Sequence, residues 1–459
     1  MLCAVLLVAS CGSGEELEAA GPDGRAAPDR QGDDSRDSAV EDRGRDEDGG
    51  GEARDDEEDD GEGPKKACPD PTGRSVDASE EAVVLQAGGD GGPRVEAVVY
   101  PHPDYEGELW SQWGQGLASA DGLFYSAVGD HCGVNGDAYL YEYDAFRSSL
   151  RLREHVLSLV DHEPGAWGYG KIHAPMVAGP DGAVYTTTYW GTDDGLEYEN
   201  GYEGDLLLRL DTSTGEWTSL GVPVPEHGIP SLAGYAEKGL LYGEAADPDA
   251  EPKKGLFFVY DTKAGEVVFE MDKAGKGFRS VMVDGEGRAY FSTGDRRLHV
   301  YDPTTNEAIP FREDLPGAWL RASSQPAPDG TVYGVTRNPD TLFALRSSGE
   351  IDELGPVRGY VASLALAPDG EQLFYVPEAH GKSWEQGTPL VAVDTRTGEE
   401  KVVVELNELA EDQLDLRLGG SYNVAVDPSG DRVYVGLNAA APDADETFGT
   451  VVLAVIELP

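Results

Sequence analysis

Two histidines stand in similar settings near the middle of the chain. His173 lies in the segment Lys-Ile-His-Ala-Pro at 171–175, and His227 lies in Glu-His-Gly-Ile-Pro at 226–230. An imidazole titrates close to neutral pH, so each histidine could transfer a proton. The similar settings could equally reflect a structural feature of a repeated unit. We predict His173 and His227 as candidate catalytic residues and keep the structural alternative.

Further histidines stand close to acidic residues. His131 follows an aspartate, His380 lies in Glu-Ala-His at 378–380, and acidic loops such as 190–194 stand elsewhere. Imidazole and carboxylate together suit Mn²⁺ or Zn²⁺, and the acidic stretch 193–203 could bind Ca²⁺ weakly. The sequence does not identify a cofactor; a divalent cation (Mn, Zn or Ca) is the candidate, with four candidate metal ligands: His131, His173, His227 and His380.

These residues belong to a chain with an internal repeat. Its first half is an apolar strand, a turn that contains glycine and a second apolar strand that ends on aromatic residues, as in Ala-Pro-Asp-Gly-Thr-Val-Tyr at 327–333. Short apolar runs separated by Asp-Gly turns are typical of β-hairpins. Seven copies are marked by their turn glycines, which are Gly122, Gly182, Gly239, Gly287, Gly330, Gly370 and Gly430.

A second half-unit follows most copies and ends on an Asp-Thr-x-x-Gly type of turn, as in Val-Ala-Val-Asp-Thr-Arg-Thr-Gly at 391–398. Successive turn glycines lie 40 to 60 residues apart, a period typical of propeller blades. The sequence thus predicts an all-β fold, a β-propeller of about seven four-stranded blades over residues 81–459, with a brief helix near 406–414. The last strand, at 451–456, needs a partner, which 83–85 or 95–100 could supply.

The blade repeat resembles that of the bacterial seven-bladed β-propeller superfamily that includes streptogramin lyases, oligogalacturonate lyases and gluconolactonase-like proteins. The resemblance covers about residues 80–459 and specifies a fold, not an activity. No stretch matches the active-site motif of one enzyme family from end to end. For activity, the resemblance implies a divalent metal and a general base at the channel mouth, with His173 or His227 taking the proton.

The first strand of each propeller blade lines the central channel, so the blades can be aligned by their turn glycines. Counting back nine residues, with one to three residues of slippage, brings histidines, arginines and aromatic residues to one rim. Guanidinium groups pair bidentately with carboxylate or sulfate, although each arginine could instead neutralise an acidic loop. We predict five ligand-binding residues: Trp113, Arg279, Arg321, Tyr360 and Tyr422.

The chain begins with an apolar run that ends in Val-Ala-Ser-Cys at 8–11. This run is too short to span a bilayer, which takes about 20 residues, but suits a signal peptide. Its last four residues resemble the bacterial lipobox. We expect residues 1–11 to be a lipoprotein signal, Cys11 to be lipidated, and the protein to be exported and lipid-anchored to the cell envelope, at the outer membrane or cell surface. The alternative is a chance apolar start with Cys11 unmodified.

Acidic residues dominate both the start of the chain and the repeat region. Residues 12–66 hold 21 acidic and 8 basic side chains and no aromatic residue, which predicts a disordered acidic linker over 12–80. Their net charge of −13 leaves −39 of the total −52 for the remainder. Such a surface excludes nucleic acid as a partner and fits life in high salt or the binding of divalent cations.

Cys68 and Cys132 are the two cysteines that follow the predicted signal. In an exported chain they form a natural disulfide pair, and the alternative is two unpaired thiols.

Because the sequence shows no firm catalytic motif, we expect a surface binding or scaffold propeller for a carbohydrate, a small anionic ligand or a partner protein. The alternative is a metal-assisted lyase or lactonase-like enzyme with its site at the channel mouth.

Overall fold

The computed structural model describes residues 66–89, 91–189, 201–247, 254–274, 280–294, 296–380 and 382–458. Four predicted features lie wholly or partly outside the described residues: Cys11 with the acidic stretch up to 65, the loop 190–194, the acidic stretch 193–203 as far as 200, and Arg279.

The described residues form the predicted β-propeller of seven four-stranded blades. Three strands precede the repeat: β1 (Ser79–Glu81), β2 (Val83–Ala87) and β3 (Arg94–Val99). Blade 1 consists of β4 (Leu117–Ala118), β5 (Leu123–Gly129), β6 (Ala138–Asp144) and β7 (Ser149–His155). Blade 2 consists of β8 (Val177–Ala178), β9 (Val184–Thr187), β10 (Leu207–Asp211) and β11 (Glu216–Ser219). Blade 3 consists of β12 (Gly228–Tyr235), β13 (Leu240–Ala246), β14 (Lys254–Asp261) and β15 (Glu266–Ala274).

Blades 4 to 6 repeat the same order. Blade 4 holds β16 (Met282–Val283), β17 (Ala289–Gly294), β18 (Arg297–Asp302) and β19 (Glu307–Pro310). Blade 5 holds β20 (Trp319–Ser323), β21 (Val332–Arg337), β22 (Thr341–Leu345) and β23 (Ile351–Pro356). Blade 6 holds β24 (Ala365–Leu366), β25 (Gln372–Tyr375), β26 (Pro389–Asp394) and β27 (Glu400–Glu405). The predicted brief helix is present as α1 (Asn407–Leu414). It is too short and too polar to cross a membrane, and no longer helix occurs in the part of the chain that the structure describes.

Blade 7 closes the ring with strands from both ends of the repeat region. Its four strands are β29 (Asn423–Val426), β30 (Arg432–Ala440), β31 (Thr450–Glu457) and β3, and the short strand β28 (Arg417–Leu418) pairs with the same edge of β30 as β29 does. Strand β3 pairs antiparallel with β31, Val95 opposite Ile456, and β2 adds a fifth strand outside β3. Both stretches that the sequence offers for closure are therefore used, which leaves the hydrogen-bonding edge of β31 covered.

The turn glycines confirm the alignment of the blades. All seven adopt positive φ, between 72° and 84°, a conformation that costs a residue with Cβ about 1 to 2 kcal/mol. Each stands between the first and second strand of its blade. The outer turns after the third strand use aspartate: the Asp302 carboxylate accepts the backbone N–H of Thr304 at 2.7 Å. The repeat read from the sequence is thus the hairpin repeat of the fold.

The core lies between neighbouring blades, where aromatic side chains of adjacent sheets stack. Phe124 of blade 1 lies 4.7 Å from Tyr434 of blade 7, and Phe257 of blade 3 lies 3.8 Å from Phe291 of blade 4, ring centroid to ring centroid. All four rings are buried. Stacked aromatic pairs contribute beyond the area that they bury, and here they fix each blade against the next.

The end of the segment that the sequence assigns to the linker lies against blade 1. Strand β1 pairs with β7 as a fifth strand, and Cys68 forms a disulfide with Cys132, with Cα atoms 5.7 Å apart. Arg74 donates to the buried carboxylate of Asp137 at 2.9 Å. Residues 66–80 therefore belong to the folded unit. The polar composition of this segment does not reveal the attachment, because the disulfide, the Arg74–Asp137 pair and backbone hydrogen bonds supply it.

Candidate functional site

Six predicted or neighbouring side chains meet at one end of the channel, which we call the mouth. Strands alternate in direction, so the loops after each second strand and the connections between blades emerge at this end. Trp113 lies at the centre of the group. Its ring centroid lies 4.8 to 6.4 Å from those of Tyr422, His380, His131, Phe448 and His173.

A lysine completes the environment of Trp113. The ammonium of Lys171 lies 4.0 Å from the Trp113 ring centroid and 5.8 Å from that of Tyr189. Lys171 is 3% exposed, and a cation over a desolvated indole face is stabilised by the ring quadrupole. Lys171 was not among the residues predicted from the sequence. Its position two residues before His173 could have indicated that it belongs to the site, because residues two apart in an extended segment share a face.

Arg321 lies beside this group and is buried. Its Nε donates to the hydroxyl of Tyr360 at 2.5 Å and its Nη1 to the carbonyl of Ala362 at 3.3 Å. The guanidinium carbon lies 5.0 Å from the Tyr360 ring centroid and 6.0 Å from that of Tyr422. Arg337 lies 4.3 Å from the Tyr360 ring and pairs with Asp340 at 2.9 Å. Two guanidinium groups therefore fix the position of Tyr360.

The mouth has a buried floor and a partly exposed rim. Trp113, Tyr422, Lys171, His131 and His173 are each less than 5% exposed. The rim consists of exposed His380 and of half-buried aromatic side chains, namely Tyr189, Tyr360 and Phe448. A ligand would contact the rim first, while the floor holds the rim side chains in position.

The predicted catalytic histidines differ in their surroundings. His173 is buried in the floor, and its Nδ1 lies 3.2 Å from the carbonyl oxygen of Pro230 in β12. His227 is half-buried, and its Nδ1 lies 2.8 Å from the carbonyl oxygen of Pro225. None of the contacts described for His227 reaches the mouth group. The structure thus brings His173 together with Trp113, whereas the side-chain contact described for His227 is with Pro225.

The predicted metal ligands do not converge on one point. Among the described residues, one group of three potential ligands has its ligand atoms within 4.8 Å of one another, and it consists of Cys68, Asp130 and Cys132. The two cysteines of that group are joined in the disulfide. No three of His131, His173, His227 and His380 reach that separation within the described chain, so these residues do not supply three ligands to one ion.

A buried polar network below His131 was not predicted from the sequence. Asp130 accepts hydrogen bonds from the hydroxyl of Tyr105 at 2.7 Å and from the backbone N–H of Cys132 at 2.9 Å. Asp137 binds Arg74 and lies 2.7 Å from Nδ1 of His155. Burial, with the nearby charge of Asp137, raises the pKa of Asp130 to about 8. This network and the disulfide fix the loop 130–137 that carries His131 to the mouth.

The fold defines a seven-bladed β-propeller, and comparison with solved structures agrees. A streptogramin B lyase structure matches with a TM-score of 0.50 and 11% identity, over 79% of this chain and 98% of the other. Virginiamycin B lyase from Staphylococcus aureus matches with a TM-score of 0.49 and 10% identity, over 80% and 100%. Hydrazine synthase of Kuenenia stuttgartiensis matches with a TM-score of 0.48 and 14% identity, over 74% and 98%. No protein-family model and no curated protein matches the sequence. Identities this low show the fold alone.

Proposed function

We propose that the protein is an exported, lipid-anchored propeller that binds a carbohydrate or small anionic ligand at the channel mouth. The observation that carries the proposal is the gathering of Lys171, Arg321 and three histidines around aromatic rings in a chain of net charge −52. Apolar ring faces with a few placed polar groups are the usual lining of small-molecule sites. Cationic groups in so acidic a molecule favour an anionic group on the ligand.

Export and anchoring are the second part of the proposal. A disulfide between Cys68 and Cys132 suits an oxidising compartment outside the cytoplasm. Lipidation of Cys11 would hold the propeller at the envelope, with the acidic segment as a spacer. Cells fed a clickable palmitate analogue should label the wild-type protein and leave the Cys11→Ser variant unlabelled. Equal labelling of both proteins would contradict the anchor.

Ligand binding is tested by isothermal titration calorimetry of the full-length protein with a panel of neutral and acidic oligosaccharides, uronate oligomers included. Removing a rim side chain, in Phe448→Ala or His380→Ala, should weaken binding about tenfold, the loss typical of a buried aromatic or polar contact at a ligand site. The control is Phe146→Ala, which removes a 79% exposed ring at the opposite end of blade 1. Equal losses in all three variants would place the ligand elsewhere.

The binding proposal and the lyase alternative make opposite predictions for metal content. The binding proposal needs no metal, and the described histidines do not supply three ligands to one ion. Elemental analysis of protein purified without chelator or added metal should therefore find no stoichiometric Mn or Zn. Stoichiometric metal that is lost in His173→Ala would overturn this expectation and favour the lyase.

A further inference from the structure

The central channel holds a cavity of about 90 Å³ below the mouth. The first strands of blades 2 to 5 and the segments that enter blades 1, 4 and 6 line it, mostly with backbone and small side chains. Among its described lining residues, none is acidic, although the chain has 87 Asp and Glu residues. Its charged group is the guanidinium of Arg321. The cavity is therefore a positively charged compartment inside an acidic protein.

Arg321 has no counter-ion in the described structure. The residue is 4% exposed, and its Nη2 is buried without a hydrogen-bond partner. Nε and Nη1 are already engaged by Tyr360 and Ala362, so Nη2 is the nitrogen left for a ligand. Burial of an unpaired cation is unfavourable unless an anion or further hydrogen bonds compensate it.

Serine hydroxyls provide further donors in the same cavity. Ser231 is 1% exposed, and its Oγ, like Nη2 of Arg321, is buried without a hydrogen-bond partner. The hydroxyls of Ser280 and Ser323 lie 3.1 Å apart and also belong to the lining. Two buried groups without hydrogen-bond partners, a guanidinium nitrogen and a hydroxyl, thus line one cavity. Buried polar groups normally have partners, and these two share a space that a ligand could enter.

We propose that this cavity binds a small oxyanion, a carboxylate or sulfate group, through the guanidinium of Arg321 and the hydroxyl of Ser231. Nη2 of Arg321 and the Ser231 hydroxyl donate directional hydrogen bonds, which fit the several acceptor oxygens of an oxyanion better than a spherical halide. The group is either a free ion or the acidic part of a ligand at the mouth. In the second case the inference deepens the proposed function, since Arg321 also holds Tyr360 of the rim.

The test uses the full-length protein and two probes, sodium sulfate and sodium acetate, titrated by calorimetry at constant ionic strength set with sodium chloride. Wild type should bind each probe saturably. Arg321→Gln should weaken binding at least about tenfold and Ser231→Ala about threefold, as expected for a charged and a neutral hydrogen bond. Arg346→Gln is the matched control, because Arg346 lies on the same blade and pairs with Asp352 outside the cavity.

Thermal unfolding with and without sulfate, at constant ionic strength, separates a binding role of Arg321 from a structural one. Arg321→Gln also loses the hydrogen bonds to Tyr360 and Ala362, so its melting temperature in chloride serves as the reference for that variant. Sulfate should raise the melting temperature of wild type by more than that of Arg321→Gln, whose small rise reflects exclusion of sulfate from the surface. A sulfate-induced rise of equal size in both proteins, or equal sulfate binding by both, would overturn the inference. Sulfate binding that needs Arg321, without any oligosaccharide binding at the rim, would leave this inference standing and remove the proposed function.

Discussion

At the scale of single residues, the mouth is assembled from side chains that belong to five different blades or the connections between them. Trp113 precedes blade 1, His173 precedes blade 2, Arg321 lies in β20 of blade 5, His380 belongs to blade 6 and Tyr422 to blade 7. A contact among them depends on the ring closing with the right number of blades. A substitution at the mouth should therefore alter the site while the strands of the repeat remain intact.

Aligning the blades by their turn glycines predicted Trp113, Arg321, Tyr360 and Tyr422 as residues of one rim, and the structure brings these four together. The same alignment reached His227 by a slippage of three residues, and the contact described for that side chain is not with these four. A register shift between Gly228 and Ser231 in β12 changes the spacing there, and the ring lies against the Pro225 carbonyl. Phe448 escaped prediction because the count samples first strands, whereas Phe448 comes from the loop between β30 and β31.

The buried carboxyl of Asp130 gives a prediction about pH. Its pKa is about 8 in the folded protein against the ordinary 3.8, so the folded state keeps a proton that the unfolded state releases. Its contribution to stability is complete below pH 4 and is lost as the pH rises to 8, by about 1.4 kcal/mol per pH unit. Asp130→Asn should lack this pH dependence. Its unfolding free energy should therefore increase relative to that of wild type between pH 5 and pH 8.

Urea unfolding at several pH values measures this difference. Asp302→Asn is the control, because hydrogen bonds from Thr304 lower the pKa of that carboxyl and place its titration below this pH range. A wild-type slope that survives in Asp130→Asn would show that Asp130 is ionised in the folded protein.

At the scale of elements, the hairpin turns carry the repeat and could be predicted almost completely. Asp-Gly pairs need no tertiary information, because the glycine must adopt positive φ whatever packs around it. The attachment of residues 66–80 could not be predicted in this way. It depends on the pairing of Cys68 with Cys132 and of Arg74 with Asp137, which are contacts over more than 60 residues of sequence.

Substitutions at two turn glycines can distinguish the cost of backbone strain from the cost of a steric clash. Gly287 has φ of 80°, and a Cβ built there would lie 2.1 Å from the Tyr235 ring of the neighbouring blade. Gly330 has a similar φ of 84°, but its Cβ would meet only the Ser347 Cβ, at 3.4 Å. We expect Gly330→Ala to cost about 1 to 2 kcal/mol of unfolding free energy and Gly287→Ala about 1 to 3 kcal/mol more.

Chemical denaturation of the two variants measures the difference. Equal losses would mean that Tyr235 moves aside at no cost, and that the packing of blade 3 on blade 4 does not depend on this turn.

At the scale of the whole molecule, ring closure stabilises the folded propeller, whereas repulsion among its acidic side chains destabilises it. Strand β3 closes the ring on β31 through six residue pairs, so unfolding of either end opens blade 7. The net charge of −52, of which −39 lies outside residues 12–66, repels itself throughout the folded propeller. Self-repulsion of this kind destabilises the compact state and weakens as salt shortens its range.

We therefore expect the melting temperature to rise as sodium chloride increases from 0.1 to about 2 M, because the Debye length falls from about 10 Å to below 3 Å. Most of the rise should come below about 1 M, where screening changes fastest. Sucrose at matched osmolality is the control, since it stabilises folded proteins by exclusion and leaves charges unscreened. A rise of equal size in sucrose, or a melting temperature that does not respond to salt, would mean that the acidic surface is already compensated by the arginine pairs on the blades.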